Sequence, residues 1–228
     1  MPDAETTQLS ITDLRAALEA LADPADVEPM EAYMKDQFRF MGVRSAGVRT
    51  AAKPFLAAAR GVDGDGVIAF VHECWAQPER EFQYVGALFT RRHVRELDPS
   101  HLPDVEHFIV TKSWWDTVDS LAAWTVGPLV AANPELVAVM DQWIADENLW
   151  LARTAILHQL GYKDDTDAER LFRYAELQAG HTDFFIRKAI GWALRQHARV
   201  DPDAVRRFVA DHEEQLSGLS KREALKHL

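Results

Sequence analysis

The sequence predicts an all-α fold, organised as a superhelical α-solenoid of antiparallel helix pairs rather than as a closed bundle. Three observations carry this reading. Apolar residues recur at spacings of three and four along almost the whole chain, short Pro/Gly/Asp breaks punctuate them, and no run of alternating β-branched residues intervenes. Short links make consecutive helices antiparallel neighbours, and with no long crossover one pair follows another to the end of the chain. The internal sequence repeat is weak, so the rhythm of helices and breaks is the signal.

Taken in order, the first helix runs from Ser10 to Ala22, with Ser10 as its cap and Asp13 three residues on. A second spans Val27 to Phe38 and ends before Gly42. The third, Ser45 to Arg60, contains Pro54, where a kink or split is expected. Gly61-Val62-Asp63-Gly64-Asp65-Gly66 reads as a loop. Helices then follow over Val67 to Gln77, Pro78 to Leu97, Leu102 to Lys112, Trp114 to Val130, Pro134 to Asp146 and Asn148 to Leu160. Four more cover Asp167 to Gln178, Asp183 to Arg199, Pro202 to Asp211 and Ser220 to Leu228. No domain boundary stands out, so residues 1–228 are expected to form a single domain.

With 47% hydrophobic and 27% charged residues, the 228-residue chain has ordinary globular composition and length enough for a substantial core. No apolar run approaches a bilayer span, and the acidic opening Met1-Pro2-Asp3-Ala4-Glu5 is unlike a secretory signal, so a cytoplasmic monomer is expected. The lone Cys74 sits in a helical apolar context and reads as a buried thiol. The net charge of -11 argues against nucleic acid until its distribution is considered. Through Met34 the chain has eight acids (Asp3, Glu5, Asp13, Glu19, Asp23, Asp26, Glu28, Glu31) and one base, Arg15, so -7 of the total lies there. The remainder is near balance and has room for a local basic surface.

Three stretches carry candidate chemistry. In Trp114-Trp115-Asp116-Thr117-Val118-Asp119-Ser120-Leu121-Ala122, helical spacing puts Trp114, Val118 and Leu121 on an apolar side. Trp115, Asp119 and the small Ala122 share another, with room left above the alanine. In the helix from Asp183, Lys188, Trp192, Arg195 and Arg199 fall together, away from a core face of Phe185, Ile186, Ala189, Ile190, Ala193 and Leu194. Such a face suits a polyanion, with cations for phosphates and an indole for a flat base, but on the residues alone a solvated helix face with Trp192 tucked into a neighbouring repeat is the favoured explanation. Between them, Arg153 borders a core stripe of Leu149, Ala152, Ile156 and Leu160, placed either to reach a ligand phosphate or to pair with a structural carboxylate. No histidine or cysteine spacing supports a metal, and no phosphate-cradling glycine loop or nucleophile signature occurs, so neither cofactor nor metal is expected.

Ser113-Trp114-Trp115-Asp116-Thr117-Val118-Asp119, Trp150-Leu151-Ala152-Arg153-Thr154-Ala155-Ile156 and Lys188-Ala189-Ile190-Gly191-Trp192-Ala193-Leu194-Arg195, in that order, make the chain resemble the AlkD family of DNA glycosylases. Supporting blocks are Tyr33-Met34-Lys35-Asp36-Gln37-Phe38, Phe40-Met41-Gly42-Val43, Pro78-Glu79-Arg80-Glu81-Phe82-Gln83-Tyr84 and Leu219-Ser220-Lys221-Arg222-Glu223-Ala224. The resemblance implies HEAT-like helical pairs with a concave face for duplex DNA. It also implies excision of cationic N3- and N7-alkylated purines, leaving an abasic site. By position it makes Trp115, Asp119 and Trp192 the residues around the lesion and Arg153 a backbone contact, with Arg195 and Tyr33 as further DNA-binding positions; Lys188 joins them as an expected DNA contact from its place on the basic face of its helix. Ala152 and Gly161 depart from the family pattern, which has basic side chains there.

The implied roles fit elementary chemistry. A cationic purine is already a good leaving group, so what remains is to stabilise charge developing on the deoxyribose and to place water, both tasks for Asp119. The indoles of Trp115 and Trp192 would favour a cationic nucleotide by roughly 0.5 to 2 kcal/mol each. A DNA-structure binder without chemistry and a protein-interaction scaffold are the alternatives. The enzyme reading fails on either of two observations: Asp119 locked in an internal ion pair, or Trp115 and Trp192 facing opposite sides of the molecule.

Overall fold

The structure, a computed structural model, describes residues 9–228. Asp3, Glu5 and the acidic opening therefore lie outside the described residues. Among those described there is no strand, only one isolated parallel bridge between Arg39 and Glu79, and the fold is all-α. No described helix is long and apolar enough to cross a membrane. The chain divides into two compact units, one ending at His101 and the other spanning Leu102–Leu228.

The first unit contains α1 (Ile11–Glu19), α2 (Pro24–Tyr33), α3 (Ser45–Ala58), α4 (Gly64–Ala76) and α5 (Arg80–Arg92). Ser10 caps α1 as expected, its hydroxyl accepting the Asp13 N–H at 3.2 Å. Helix α2 starts three residues earlier than its apolar pattern suggests, because Pro24 at the first helical position follows an Asp23 cap that accepts the Ala25 N–H at 2.9 Å. It also ends earlier, since Lys35 and Asp36 have φ of 58° and 56°, which no α-helix accommodates. Pro54 does not split α3. Alternate helices pack together, α1 on α3 and α3 on α5, while α4 packs on its successor α5, the neighbour pattern of stacked helix pairs. Phe55, Phe70 and Phe89 run through this core, and Cys74 is buried within it.

The segment between α2 and α3 has no regular structure, and its backbone is held by one side chain. Glu81, fully buried on α5, accepts the N–H groups of Met41, Gly42 and Val43 at 2.9, 3.0 and 3.0 Å through a single carboxylate oxygen. Burial raises its carboxyl above the ordinary range, against the pull of those donors. Next to it, Arg80 is also fully buried, its guanidinium 3.8 Å from the Phe38 ring centre, and its backbone N–H reaches Arg39 at 2.8 Å. Gly42, at φ 87°, comes so close to Asp23 that a Cβ would lie 2.2 Å from that carbonyl oxygen.

The second unit contains α6 (Leu102–Val110), α7 (Trp115–Leu121), α8 (Gly127–Ala132), α9 (Val137–Trp143), α10 (Leu149–Leu157), α11 (Ala168–Leu177), α12 (Phe184–His197), α13 (Pro202–Asp211) and α14 (Gly218–Ala224). The helix expected from Trp114 to Val130 is interrupted by a π-turn at Ala122–Val126, where the Gly127 N–H bonds back to Ala122. Gly127 has no Cβ to obstruct the His158 carbonyl, which would sit 2.2 Å from one, and the Tyr162 hydroxyl donates to the Gly127 carbonyl at 2.7 Å. Here too alternate helices stack, α10 on α12 and α12 on α14. The last helix begins at Gly218 rather than Ser220, because Ser217 caps it.

Replacing Glu81 by Ala strands the buried N–H groups of Gly42 and Val43 and the part-buried one of Met41, each worth about 1 kcal/mol, so the loss should be roughly 2 to 3 kcal/mol. Glu81→Gln keeps an acceptor oxygen and should lose markedly less; urea midpoints measure both, and equal losses would place the effect in the charge instead.

Candidate functional site

The second unit brings together most of the residues singled out in the sequence. Asp119 lies on α7, four residues after Trp115, the first residue of that helix. Both are half-buried, whereas Val118 and Leu121 on the other side of α7 are completely buried. Ala122, expected to leave room beside Asp119, is instead buried as the first residue of the π-turn, so the space it was assigned does not exist there.

Arg153 on α10 settles the choice that its sequence position left open. Its side chain is 3% exposed and its Nε and one terminal nitrogen donate to the two oxygens of Asp119 at 2.7 and 2.8 Å. The other terminal nitrogen donates to the Phe185 carbonyl on α12. With its donors committed inward, Arg153 is a structural partner in this conformation and not an offered phosphate contact. Asp119 is therefore in an internal ion pair, the arrangement that counts against a catalytic carboxylate. The pair is not sealed, since the Asp119 side chain remains 15% exposed. Burial pushes its carboxyl above the ordinary range, and the Arg153 hydrogen bonds pull it back.

Behind this pair is an aromatic cluster that the sequence did not reveal. Trp114, Trp150 and Phe185 meet with ring centres 5.1 to 5.9 Å apart, contributed by the start of α7, by α10 and by α12. The Trp114 indole nitrogen is buried with no partner among the described residues. Trp192 is half-buried on α12, two turns beyond Phe185. Arg153 thus bonds both to the helix that carries Trp115 and to the one that carries Trp192.

Lys188 and Arg195 lie on either side of Trp192 along α12, but neither is an uncompensated cation. Glu223 from α14 accepts Lys188 at 2.7 Å with one oxygen and Arg195 with the other. Those cations, Lys188 first, hold its carboxyl below the ordinary range. The approach depends on Gly191, where a Cβ would lie 2.5 Å from Glu223 Cβ. The basic face read from α12 is accordingly reduced to Arg199, which is exposed, plus a triad that keeps one net positive charge. The signal for Glu223 lay in the terminal block of the sequence, with no indication of which cation it would meet.

Tyr33 belongs to the first unit, at the end of α2, and is 69% exposed beside an open cavity of about 580 Å³ that Phe40 and Tyr84 also line. His158 is a core histidine whose Nδ1 lies 2.7 Å from the Ala155 carbonyl, and burial lowers its pKa to about 4. Among the described residues no group of three His, Cys, Asp or Glu side chains is placed to hold a metal ion.

A solved structure described as a predicted DNA alkylation repair enzyme from Enterococcus faecalis is 29% identical, covers 91% of this chain and 96% of its own, and superposes with a TM-score of 0.84. The crystal structure of smu.31 from Streptococcus mutans UA159 shares the fold, at 15% identity, a TM-score of 0.61, and coverage of 79% and 97%. No curated protein matches. The sequence model of the family described as DNA alkylation repair enzyme matches residues 14–228, and the chain belongs to that family.

Proposed function

We propose that the protein is a DNA glycosylase that hydrolyses the N-glycosidic bond of cationic N3- or N7-alkylated purines in duplex DNA and leaves an abasic site. The observation that supports this best is the match of the DNA alkylation repair enzyme family over residues 14–228, in a chain whose Asp119 keeps an edge open to solvent one turn from Trp115 even though it is paired with Arg153. An alkylated purine that already carries positive charge leaves without being protonated. The enzyme's task is to stabilise the oxocarbenium-like deoxyribose and to orient water, and an oriented anion does both without reorganising. The side-on guanidinium uses one lone pair of each oxygen and leaves others for a water. Trp115 and Trp192 supply indole faces that favour a charged nucleotide over a neutral one. Arg153 acts here by positioning Asp119, a role distinct from the phosphate contact that the family resemblance assigns to its position.

A second reading is favoured by the same ion pair: a HEAT-like protein that binds DNA structure without chemistry, with Asp119 retained only to neutralise a buried arginine. Release of methylated purines from alkylated duplex DNA decides between them. A rate no higher than the spontaneous one, with duplex binding intact, establishes the second reading.

Asp119→Asn should lower single-turnover base release on the order of 10²-fold while duplex binding persists. The ionised form is the active one, and burial raises its pKa above the usual 3.8, so activity falls with decreasing pH at a higher pH than an ordinary aspartate would give. The acid limb should be missing in Asp119→Asn. Arg153→Ala should cost about 3 to 5 kcal/mol in stability, because it leaves a buried carboxylate unpaired, and should leave the salt dependence of DNA binding unchanged. A flatter salt slope in a folded variant would restore the phosphate role. Glu223→Gln should do the reverse, steepening the slope by about 1 to 2 as Lys188 and Arg195 become available.

A further inference from the structure

The first unit holds a cationic cavity that the reading above does not use. It occupies about 510 Å³ between the end of α3 and the end of α5, and Lys53, Arg60, Arg92, His93 and Glu96 line it. Among the described residues, none of Lys53, Arg60 and Arg92 forms an ion pair or side-chain hydrogen bond. Three cations against the single carboxylate of Glu96 leave an excess of two positive charges. This contrasts with the second unit, where Glu223 compensates Lys188 and Arg195.

Helix ends alone do not explain the cluster. Arg92, the last residue of α5, does oppose the negative end of that helix, but Lys53 precedes the final turn of α3, which has no basic residue. His93 adds an independent sign. It is 5% exposed, and its Nε2 is buried with no partner among the described residues. A buried imidazole nitrogen without a partner is costly and marks a group awaiting one.

From this geometry we infer that the cavity is a phosphate-binding site, in which Lys53, Arg60 and Arg92 take the anionic oxygens and His93 donates from Nε2. A phosphate presents several acceptor oxygens and up to two negative charges, matching three cations and a neutral N–H donor. The phosphate can come from the backbone of an undamaged stretch of duplex or from a free monoester. The backbone source rests on the DNA reading above; the other does not.

The His93 ring resonances of the full-length protein, assigned by loss in His93→Gln, report on the site. Inorganic phosphate should shift them, and sodium chloride of equal ionic strength should not. An undamaged 12-base-pair duplex should shift them too if the source is DNA. The Arg60→Gln/Arg92→Gln variant should then bind duplex about tenfold more weakly, with a salt slope shallower by roughly 1.8. A response to phosphate but not to duplex assigns the site to a free phosphate monoester. Resonances unmoved by both probes overturn the proposal, as does an unaltered response in the double variant. Because the readout is a ring signal and not base release, an inactive protein that still shows the shift refutes the glycosylase reading alone.

Discussion

The guanidinium of Arg153 is the constraint on which the second unit depends. Nothing in a core tolerates a permanently charged side chain without partners, so its burial dictates where Asp119 and the Phe185 carbonyl must lie. Those partners belong to α7 and α12, while Arg153 itself is on α10, and one planar group therefore sets the relation of three helices. The rings of Trp114, Trp150 and Phe185 close around the same junction. A hydrophobic replacement of equal volume would pack there at no loss of stability, as buried ion pairs generally allow. The pair contributes direction: the carboxylate cannot rotate, and the helices carrying Trp115 and Trp192 inherit a fixed junction.

The first unit uses the opposite device for a similar end. There an acid, Glu81, organises backbone donors instead of a side-chain cation, gathering the irregular segment of Met41 to Val43 onto α5. Two sequence blocks forty residues apart, one around Phe40 and one around Arg80, become a single structural piece through that carboxylate, the Arg39 to Glu79 bridge and the stacking of Arg80 on Phe38. Neither block contains much regular hydrogen bonding of its own at this point, so the side chains complete what the helices leave open.

Much of the fold is legible from local chemistry. Helical periodicity, the Ser10 cap and the buried Cys74 are properties of short windows, and short windows are what a sequence displays. The misses share a cause. Helix α2 was misplaced because Pro24 can begin a helix as readily as break one, and because Lys35 and Asp36 turn left-handed without a glycine to announce it. The π-turn adds one residue to a helix whose apolar pattern continues across it, and the groups it meets, the His158 carbonyl packed close on Gly127 and the Tyr162 hydroxyl bonded to it, lie more than thirty residues away. At the site, spacing along the helix puts Trp115 one turn from Asp119 on α7, and on α12 it puts Lys188 and Arg195 on the side where Glu223 meets both. It had no means of showing Glu223, which arrives from another helix, or of choosing between phosphate and carboxylate for Arg153. Pairing of charges is a tertiary fact.

That tertiary fact also bears on how an acidic chain engages DNA. With Arg153 committed inward and Lys188 and Arg195 shared with Glu223, the second unit has spent three of its best-placed cations on internal order. Affinity for the phosphate backbone grows with every cation left to release counterions, so such a unit grips DNA weakly for its size. On the proposed glycosylase reading, weak contact around an oriented carboxylate and two indoles would shift discrimination from backbone to base, because the attraction between an indole face and a cation needs no salt link to act. Such an enzyme would gain from this balance: normal DNA would be released quickly, and the lesion's own positive charge would supply the attraction that the withheld arginines and lysine do not.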